Sequence, residues 1–415
     1  MLNLIFMKET YLHYLWRQKR LPFHHMTLKD GRPFRVISPG FYNAYNSGPD
    51  FSEARIEIDG IVWVGPVEIH LRSSDWKSHN HHLDSSYDHV ILHVVLKDDK
   101  PVHQNGIELP VLEIGEFIDT EHYRQFLRFL EKMENAIPCE SFLPVVDPVF
   151  MQEMIARCAV ERLERKYREL MDIAIPDDPI ETFYRLIARA FGTKHNAMAF
   201  EQVAFRLPYK SMRQLESRER KISYFELSGL NENGRKRQKH DNSEGSYFSE
   251  LPNSQQLHPS IWIYGGVRPS AHPHIRIQQF CSLIDRIDLD VFLSDMPAQE
   301  ILNSFDELIH AINKNEPTKR LHISNTLKDQ LLINAVSLFL FWWGKVNLNP
   351  ILQENALELL SKLPPEDNRL VRDWKKRNVR VDSALDSQAL IELLQQYCMR
   401  KKCLSCSVGI KVLNK

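Results

Sequence analysis

The residues best equipped for chemistry stand in two short blocks, Asn46-Ser47-Gly48-Pro49-Asp50-Phe51 and Gly65-Pro66-Val67-Glu68-Ile69-His70. Side chains alternate across a strand, so Glu68 and His70 project to one face and Ile69 turns toward the core. Asp50 stands at the head of the preceding arm of the same hairpin, which sets its carboxylate beside Glu68 at the sheet edge. Two carboxylates and the carbonyl of Ile69 suit a hard divalent ion such as Mg²⁺ or Mn²⁺, which takes oxygen ligands and keeps several waters.

Histidines crowd the region that follows. Seven of the 18 in the chain fall between His70 and His103, where an even spread would put one or two, and imidazoles near carboxylates ligate metals or relay protons. On a strand running from His89 to Leu96, His93 approaches His70 across the sheet and joins Asp50 and Glu68 as a metal donor. A zinc or iron hydrolase using His70, Asp75, His79 and His93 is the alternative to a magnesium centre. Otherwise Asp75 and His79 stand ready as substrate contacts, or the histidines are exposed loop residues and satisfied interior groups.

Two further clusters carry chemistry. Cys398, Cys403 and Cys406 place three thiols where one ion can reach them, and Arg400, Lys401 and Lys402 favour the thiolate. A structural zinc or an iron–sulfur cluster needs a fourth ligand, which is open among Cys139, Cys158, Cys281 and a histidine. Arg268 and Arg276 flank a Pro-rich turn into a helix, an arrangement that suits a phosphate, or one in which the arginines pair with acidic neighbours. Basic runs at Arg235 to His240 and Lys375 to Arg377 are solvated faces or nucleic-acid contacts.

The elements that position these residues follow from periodicity. Lys8 to Gln18 reads as a helix with Tyr11, Tyr14, Leu15 and Trp16 on one side. Phe34–Ile37, Ala54–Ile58, Ile61–Leu71 and His89–Leu96 read as strands, with Asp59-Gly60 as a tight turn and Glu108–Ile114 as an edge strand bounded by Pro101 and Pro110. From Asp147-Pro148 onward the period becomes helical, through 179–191, 196–205, 275–287, 298–312, 326–346 and 387–402. The polar stretch 209–256 reads as a loop or insertion. The expectation is an α/β (α+β) domain with a mixed sheet over 8–120, followed by a mostly α-helical domain over 145–415 with a polar insertion at about 209–260.

A helix, three strands, a short helical stretch and a strand, with an aspartate and a Glu-x-His on the central hairpin, resembles the PD-(D/E)xK nuclease superfamily over roughly residues 8–97. The resemblance implies a restriction-endonuclease-like fold and metal-assisted hydrolysis of nucleic-acid phosphodiesters. It makes Asp50 and Glu68 the metal ligands and puts His70 in place of the lysine that orients or deprotonates the attacking water. Histidine is shorter than lysine and neutral near pH 7, so the departure bears on water activation. The blocks 46–51, 65–76 and 87–95, the Arg268-Pro269 turn and Cys403-Leu404-Ser405-Cys406 also resemble an uncharacterised bacterial family of about this length, a domain of unknown function that implies no activity.

Composition narrows the field. With 53 basic and 54 acidic residues the net charge is −1, so the whole molecule exerts no long-range pull on nucleic acid or anionic lipid. Glycine is scarce, at 15 of 415 residues, and neither GxxxxGK[ST] nor GxGxxG after a strand occurs, which argues against the common phosphate-cradling folds. The longest apolar run, Ala335 to Trp343, is far shorter than the roughly 20 residues that span a bilayer. Met1 to Met7 lacks the basic region of a secretory signal and the cysteines are scattered, so the expected setting is cytoplasmic, away from membranes. The functional expectation is a metal-dependent nuclease with nucleic acid as partner. The alternatives are a metal-stabilised scaffold or binding protein without catalysis, and the histidine-ligated hydrolase.

Overall fold

A computed structural model describes residues 7–43, 48–131, 137–231, 256–316 and 318–413. Asn46, Ser47, the basic run Arg235 to His240 and residues 232–255 of the expected insertion lie outside these residues. The chain forms two compact units, one of Met1–Met151 with Leu394–Lys415 and one of Gln152–Leu393.

The first unit is built on a mixed sheet. Helix α1 (Glu9–Arg17) buries Tyr11, Leu12, Tyr14, Leu15 and Trp16, the stripe its period specifies. Strands β1 (Phe34–Ser38), β2 (Phe41–Tyr42), β3 (Phe51–Ile58) and β4 (Ile61–Arg72) follow, then the short helix α2 (Asp75–Ser78), two single turns, and β5 (Leu92–Lys97). A small hairpin of β6 (His103–Gln104) and β7 (Ile107–Glu108) precedes β8 (Val111–Glu113), so the expected edge strand over 108–114 is divided where Pro110 removes a donor. The sheet order is β1-β3-β4-β5-β8, with β2 added beside β3. Strands β1, β3 and β4 are antiparallel neighbours, whereas β4–β5 and β5–β8 are parallel.

Two local features aim the hairpin. Pro66 has no N–H to give the ladder, and opposite it the register slips between Phe51 and Ala54, where Glu53 takes a φ of 53°. Such a bulge bends the strand and redirects side chains beside it. At the other side of β3, Gly40 has φ +83°, and a Cβ there would lie 2.3 Å from the carbonyl oxygen of Ser52; only glycine permits this close approach. Beyond the bulge, β5 covers only Val67 to Arg72. Val67 to His70 are therefore buried on both faces, while Ile61 to Val64 in the same strand are exposed.

Helix α3 (Thr120–Glu131) and the start of α4 (Pro148–Met171) complete the N-terminal part of this unit. The tail returns to it: the stretch 387–402, expected as one helix, is an α-helix over Ala384–Glu392 and a wide π turn over Leu393–Cys398, after which the chain belongs with the strands.

The second unit is mostly helical. Side chains that accept from the first free amides start its helices, including Asp178 before Pro179–Phe191, Ser324 before Asn325–Leu331, Asn349 before Pro350–Lys362 and Ser383 before Ala384–Glu392. The long helix expected over 326–346 is interrupted by a π turn at Leu332–Val336. Part of the expected polar insertion is helical, over Tyr209–Arg213 and Ser217–Ser228; Tyr224, Phe225 and Leu227 supply the buried positions that the surrounding charge conceals in the sequence. Among the described residues, no helix is long and apolar enough to cross a membrane.

Phe183 is fully buried in this unit, its ring stacked 4.2 Å from that of Phe339. Phe183→Ala is expected to cost about 3–5 kcal/mol through lost burial and a residual cavity. Urea denaturation checks this, and a loss under about 1 kcal/mol would show that the site collapses without leaving a cavity.

Candidate metal centre

The hairpin brings Asp50 and Glu68 together, as their spacing suggested. Their backbones and carboxylates interlock: the Asp50 amide donates to Glu68 Oε2 at 3.0 Å, and the Ile69 amide donates to Asp50 Oδ2 at 2.9 Å. These two bonds occupy one oxygen of each carboxylate. Asp50 faces His13 of α1, whose Nε2 is 3.2 Å from Asp50 Oδ2. Glu68 is turned the other way, with Oε1 toward His70 Nε2 at 3.4 Å and His81 Nε2 at 3.3 Å.

Three histidines converge at this point. His70 Nε2 also meets His79 Nδ1 at 3.1 Å, and His70, His79 and His81 each present one ligand atom within 4.8 Å of the others. No other such set of His, Cys, Asp or Glu occurs among the described residues. Donors bound tetrahedrally at about 2.0–2.1 Å lie about 3.3–3.4 Å apart; His70 Nε2 and His79 Nδ1 are 3.1 Å apart, and all three imidazoles offer a ligand atom within 4.8 Å of the others. His81 Nε2 is buried, and its neighbour among the described residues is Glu68 Oε1 at 3.3 Å, short of good hydrogen-bond alignment.

The local chain explains the convergence. Asn80 adopts φ 62°, a left-handed conformation that asparagine tolerates, and this single residue turns the end of α2 back so that His79 and His81 face the same point. The loop is tied down by Asp99, which accepts from the Ser74 amide at 2.9 Å and the Ser73 hydroxyl at 3.0 Å. His81 stacks on Tyr87, ring centroids 3.9 Å apart, above a small core of Trp76, Tyr87, Val90, Val102 and Leu109. Exposure rises from buried His70 through half-buried His81 to exposed His79, so the centre has a floor in the core and a mouth in solvent.

Electrostatics keep this floor neutral. Burial, aided by the neighbouring imidazoles, pulls His70 down to about 2 and His93 down to about 3. His93 Nε2 lies 2.9 Å from His70 Nδ1. It therefore stands behind His70, not in the ligand set where the sequence reading put it, and it fixes the ring that presents Nε2. Burial raises Glu68, with Asp50 adding to the effect and His81 opposing it. Burial opposes a charge on His13, but the Asp50 carboxylate outweighs it and holds the imidazole above its usual value. One turn earlier on α1, burial brings Glu9 up to about 7, reinforced by Asp50 and Glu68 against His13.

The remaining residues singled out in the sequence lie elsewhere. Asp75 accepts from the Arg72 amide at 2.9 Å, closing the turn into α2. Arg268 is exposed in the helical unit, and Arg276 there donates to Gln279 at 3.0 Å while burial lowers it to about 10. Cys398, Cys403 and Cys406 are buried in the first unit. His13, Glu9 and His81 were not named as site residues; the His-x-His at 79–81 was a readable signal for His81, whereas α1 reaches the hairpin only through tertiary packing.

The family model described as "Protein of unknown function (DUF2851)" matches residues 9–369. The chain belongs to the DUF2851 family. No curated protein and no solved structure matches it. The match takes in every residue of the histidine centre and both α1 residues behind it, and ends before the three C-terminal cysteines.

Two predictions follow from this geometry in the DUF2851 chain. Asn80→Val is expected to weaken zinc binding about 10–100-fold by straining the left-handed turn, while Asn80→Gly keeps it; calorimetric titration distinguishes them, and equal affinities would show that the turn does not set the ligands. With a chelator present, the unfolded chain protonates residue 93 below its ordinary value near 6.5 while the folded chain resists protonation until about 3. His93 therefore contributes most stability above about pH 6.5 and loses it as pH falls. The stability of wild type relative to His93→Phe should decline steadily from about pH 7 to about pH 5 in urea melts, and a pH-independent difference would contradict the neutral assignment.

Proposed function

We propose that this chain is a metal-dependent hydrolase acting on nucleic-acid phosphodiesters in the cytoplasm, with His70, His79 and His81 as the metal ligands. The observation that carries the reading is the convergence of one ring nitrogen each from His70, His79 and His81 within 4.8 Å at a site open on one side. Imidazole donors favour zinc or iron over the Mg²⁺ expected from Asp50 and Glu68 alone. An ion there would lower the pKa of a water and stabilise charge on the scissile group.

The protein's own groups divide the remaining work. Glu68, held through Oε2 by the Asp50 amide, has Oε1 poised between His70 and His81 to take the proton from the attacking water. Asp50 positions Glu68 and Ile69 and raises the basicity of His13, whose Nε2 is 3.2 Å from its carboxylate. His70 is a ligand in this reading and not the proton acceptor that the nuclease resemblance implies, because burial suppresses its basicity.

The substrate class rests on topology. The order of α1, antiparallel β1-β3-β4, a helical stretch and parallel β5, with Asp50 and Glu-x-His on the central hairpin, supports a PD-(D/E)xK-like core. That the six cysteines stand outside disulfides supports a reducing, cytoplasmic setting. A second reading, a structural ion in a scaffold without catalysis, is favoured by the near-complete burial of Glu68 and His70, whose side chains are 6% and 2% exposed.

Cleavage of single- and double-stranded DNA and RNA, with Zn²⁺, Mn²⁺ or Mg²⁺ supplied, tests the proposal. Glu68→Gln is expected to keep the metal and lose about 10²–10⁴-fold in rate, whereas His79→Ala/His81→Ala loses both. If wild type cleaves no better than Glu68→Gln, the hydrolase reading falls, and one tightly held ion per chain would then favour the scaffold.

A further inference from the structure

The helical unit holds a cavity of about 390 Å³, within the roughly 300–1,000 Å³ that small-molecule sites occupy. Leu170, Leu186, Ala190 and Leu338 give it apolar walls, and Gln330 and Asn334 bring two carboxamides to it. Its rim reaches solvent at Glu169 and Lys194, which are exposed, whereas Leu170, Leu186 and Ala190 are buried.

The chain around one wall is held stiffly. Helices Pro179–Phe191 and Thr193–Arg206 meet at Gly192, where a Cβ would lie 2.3 Å from the Asn196 carbonyl oxygen. Thr193 opens the second helix at φ 53°, a left-handed conformation that strains a β-branched side chain. Asn196 pins this first turn: its Nδ2 donates to the Ile263 carbonyl at 3.0 Å, and its Oδ1 accepts from the Ile263 amide at 2.8 Å. Thr193, Lys194 and Ala197 of the same stretch line the cavity, and no side chain caps the helix. Its first amides and positive dipole end are therefore available to an anion. Asn334 reaches the cavity from the π turn Leu332–Val336, its Nδ2 donating to the Gln330 carbonyl at 3.1 Å.

Most charges of the lining are already matched. Lys166 pairs with Glu169 at 2.8 Å, and Arg189 pairs with Glu201. Lys194 makes no ion pair among the described residues. Glu366 accepts from Gln388 through Oε2, which leaves Oε1 without a hydrogen-bond partner among the described residues. What stays unmatched is a cation at an uncapped helix start, a carboxylate oxygen and two carboxamides, set around apolar walls.

We propose that this cavity binds a nucleoside monophosphate, with the phosphate at the first turn of Thr193–Arg206 beside Lys194, the base against the leucine walls and the two carboxamides, and a sugar hydroxyl on Glu366. Each unmatched group then gains a partner. An inorganic anion would leave the leucine walls unused, and an acyl chain would strand the carboxamides and Glu366. The cavity lies in a different unit from the histidine centre, and the inference does not depend on the proposed hydrolysis.

The test uses full-length protein in the His79→Ala/His81→Ala background, so that a nucleotide held at the histidine centre does not report. Calorimetric titration with the monophosphates of adenosine, guanosine, cytidine and uridine is compared with adenosine alone and inorganic phosphate alone. At least one monophosphate is expected to bind saturably with one equivalent per chain, and each partial probe about tenfold or more weakly. Lys194→Glu, a change at an exposed residue, should weaken binding about tenfold or more, and Leu338→Trp, which fills the cavity, should abolish it. Hydrogen exchange without these two substitutions guards against variants that fail to fold: the nucleotide should slow exchange in residues 186–197 and 330–338. Absence of saturable binding by all four monophosphates, inorganic phosphate binding as tightly as they do, affinity unchanged in Lys194→Glu, or protection confined to other segments would overturn the assignment.

Discussion

Two crossed hydrogen bonds between the arms of one hairpin organise the first unit. Each of Asp50 and Glu68 accepts from the backbone of the other's arm, so neither carboxylate can turn without losing its bond to the opposite arm. This fixes Glu68 Oε1 against His70 and His81 and leaves Asp50 to hold His13. The bulge opposite Pro66 makes the crossing possible, because a regular ladder through residues 51–54 would carry Asp50 to a different height along the strand.

The cost of this arrangement is a polar cluster sunk into a sheet that is otherwise apolar. His70 and His93 are buried and held neutral, and His93 Nδ1 lacks an aligned partner among the described residues. Each such orphan costs roughly 1–3 kcal/mol, a penalty that packing alone would remove by substituting apolar side chains. In the proposed metal centre this cluster is put to use, because the His70–His93 contact would orient a ligand ring.

Much of the positioning framework was legible in the sequence, and the reasons are local. Alternation along β4 put Glu68 and His70 on one face, and parallel pairing of β4 with β5 set His93 beside His70, within 2.9 Å. The density of histidines between 70 and 103 marked the loop in which His79 and His81 meet His70. The division of labour was not legible. Which histidines point inward depends on the left-handed Asn80 and on the ties from Asp99, and neither has a signature in spacing alone. The roles of Glu9 and His13 arise from the packing of α1 on the hairpin, a long-range event that periodicity does not encode. Likewise the helices at 209–213 and 217–228 sit in a stretch whose charge outweighs its few buried aromatics.

The central claim is that the imidazoles of His70, His79 and His81 share one metal ion. Anomalous diffraction at the zinc absorption edge, from crystals grown with zinc, measures this directly. The account predicts a peak within about 2.0–2.2 Å of His70 Nε2, His79 Nδ1 and His81 Nε2 together. Density that shows these nitrogens hydrogen-bonded to one another, with no anomalous peak between them, would contradict it.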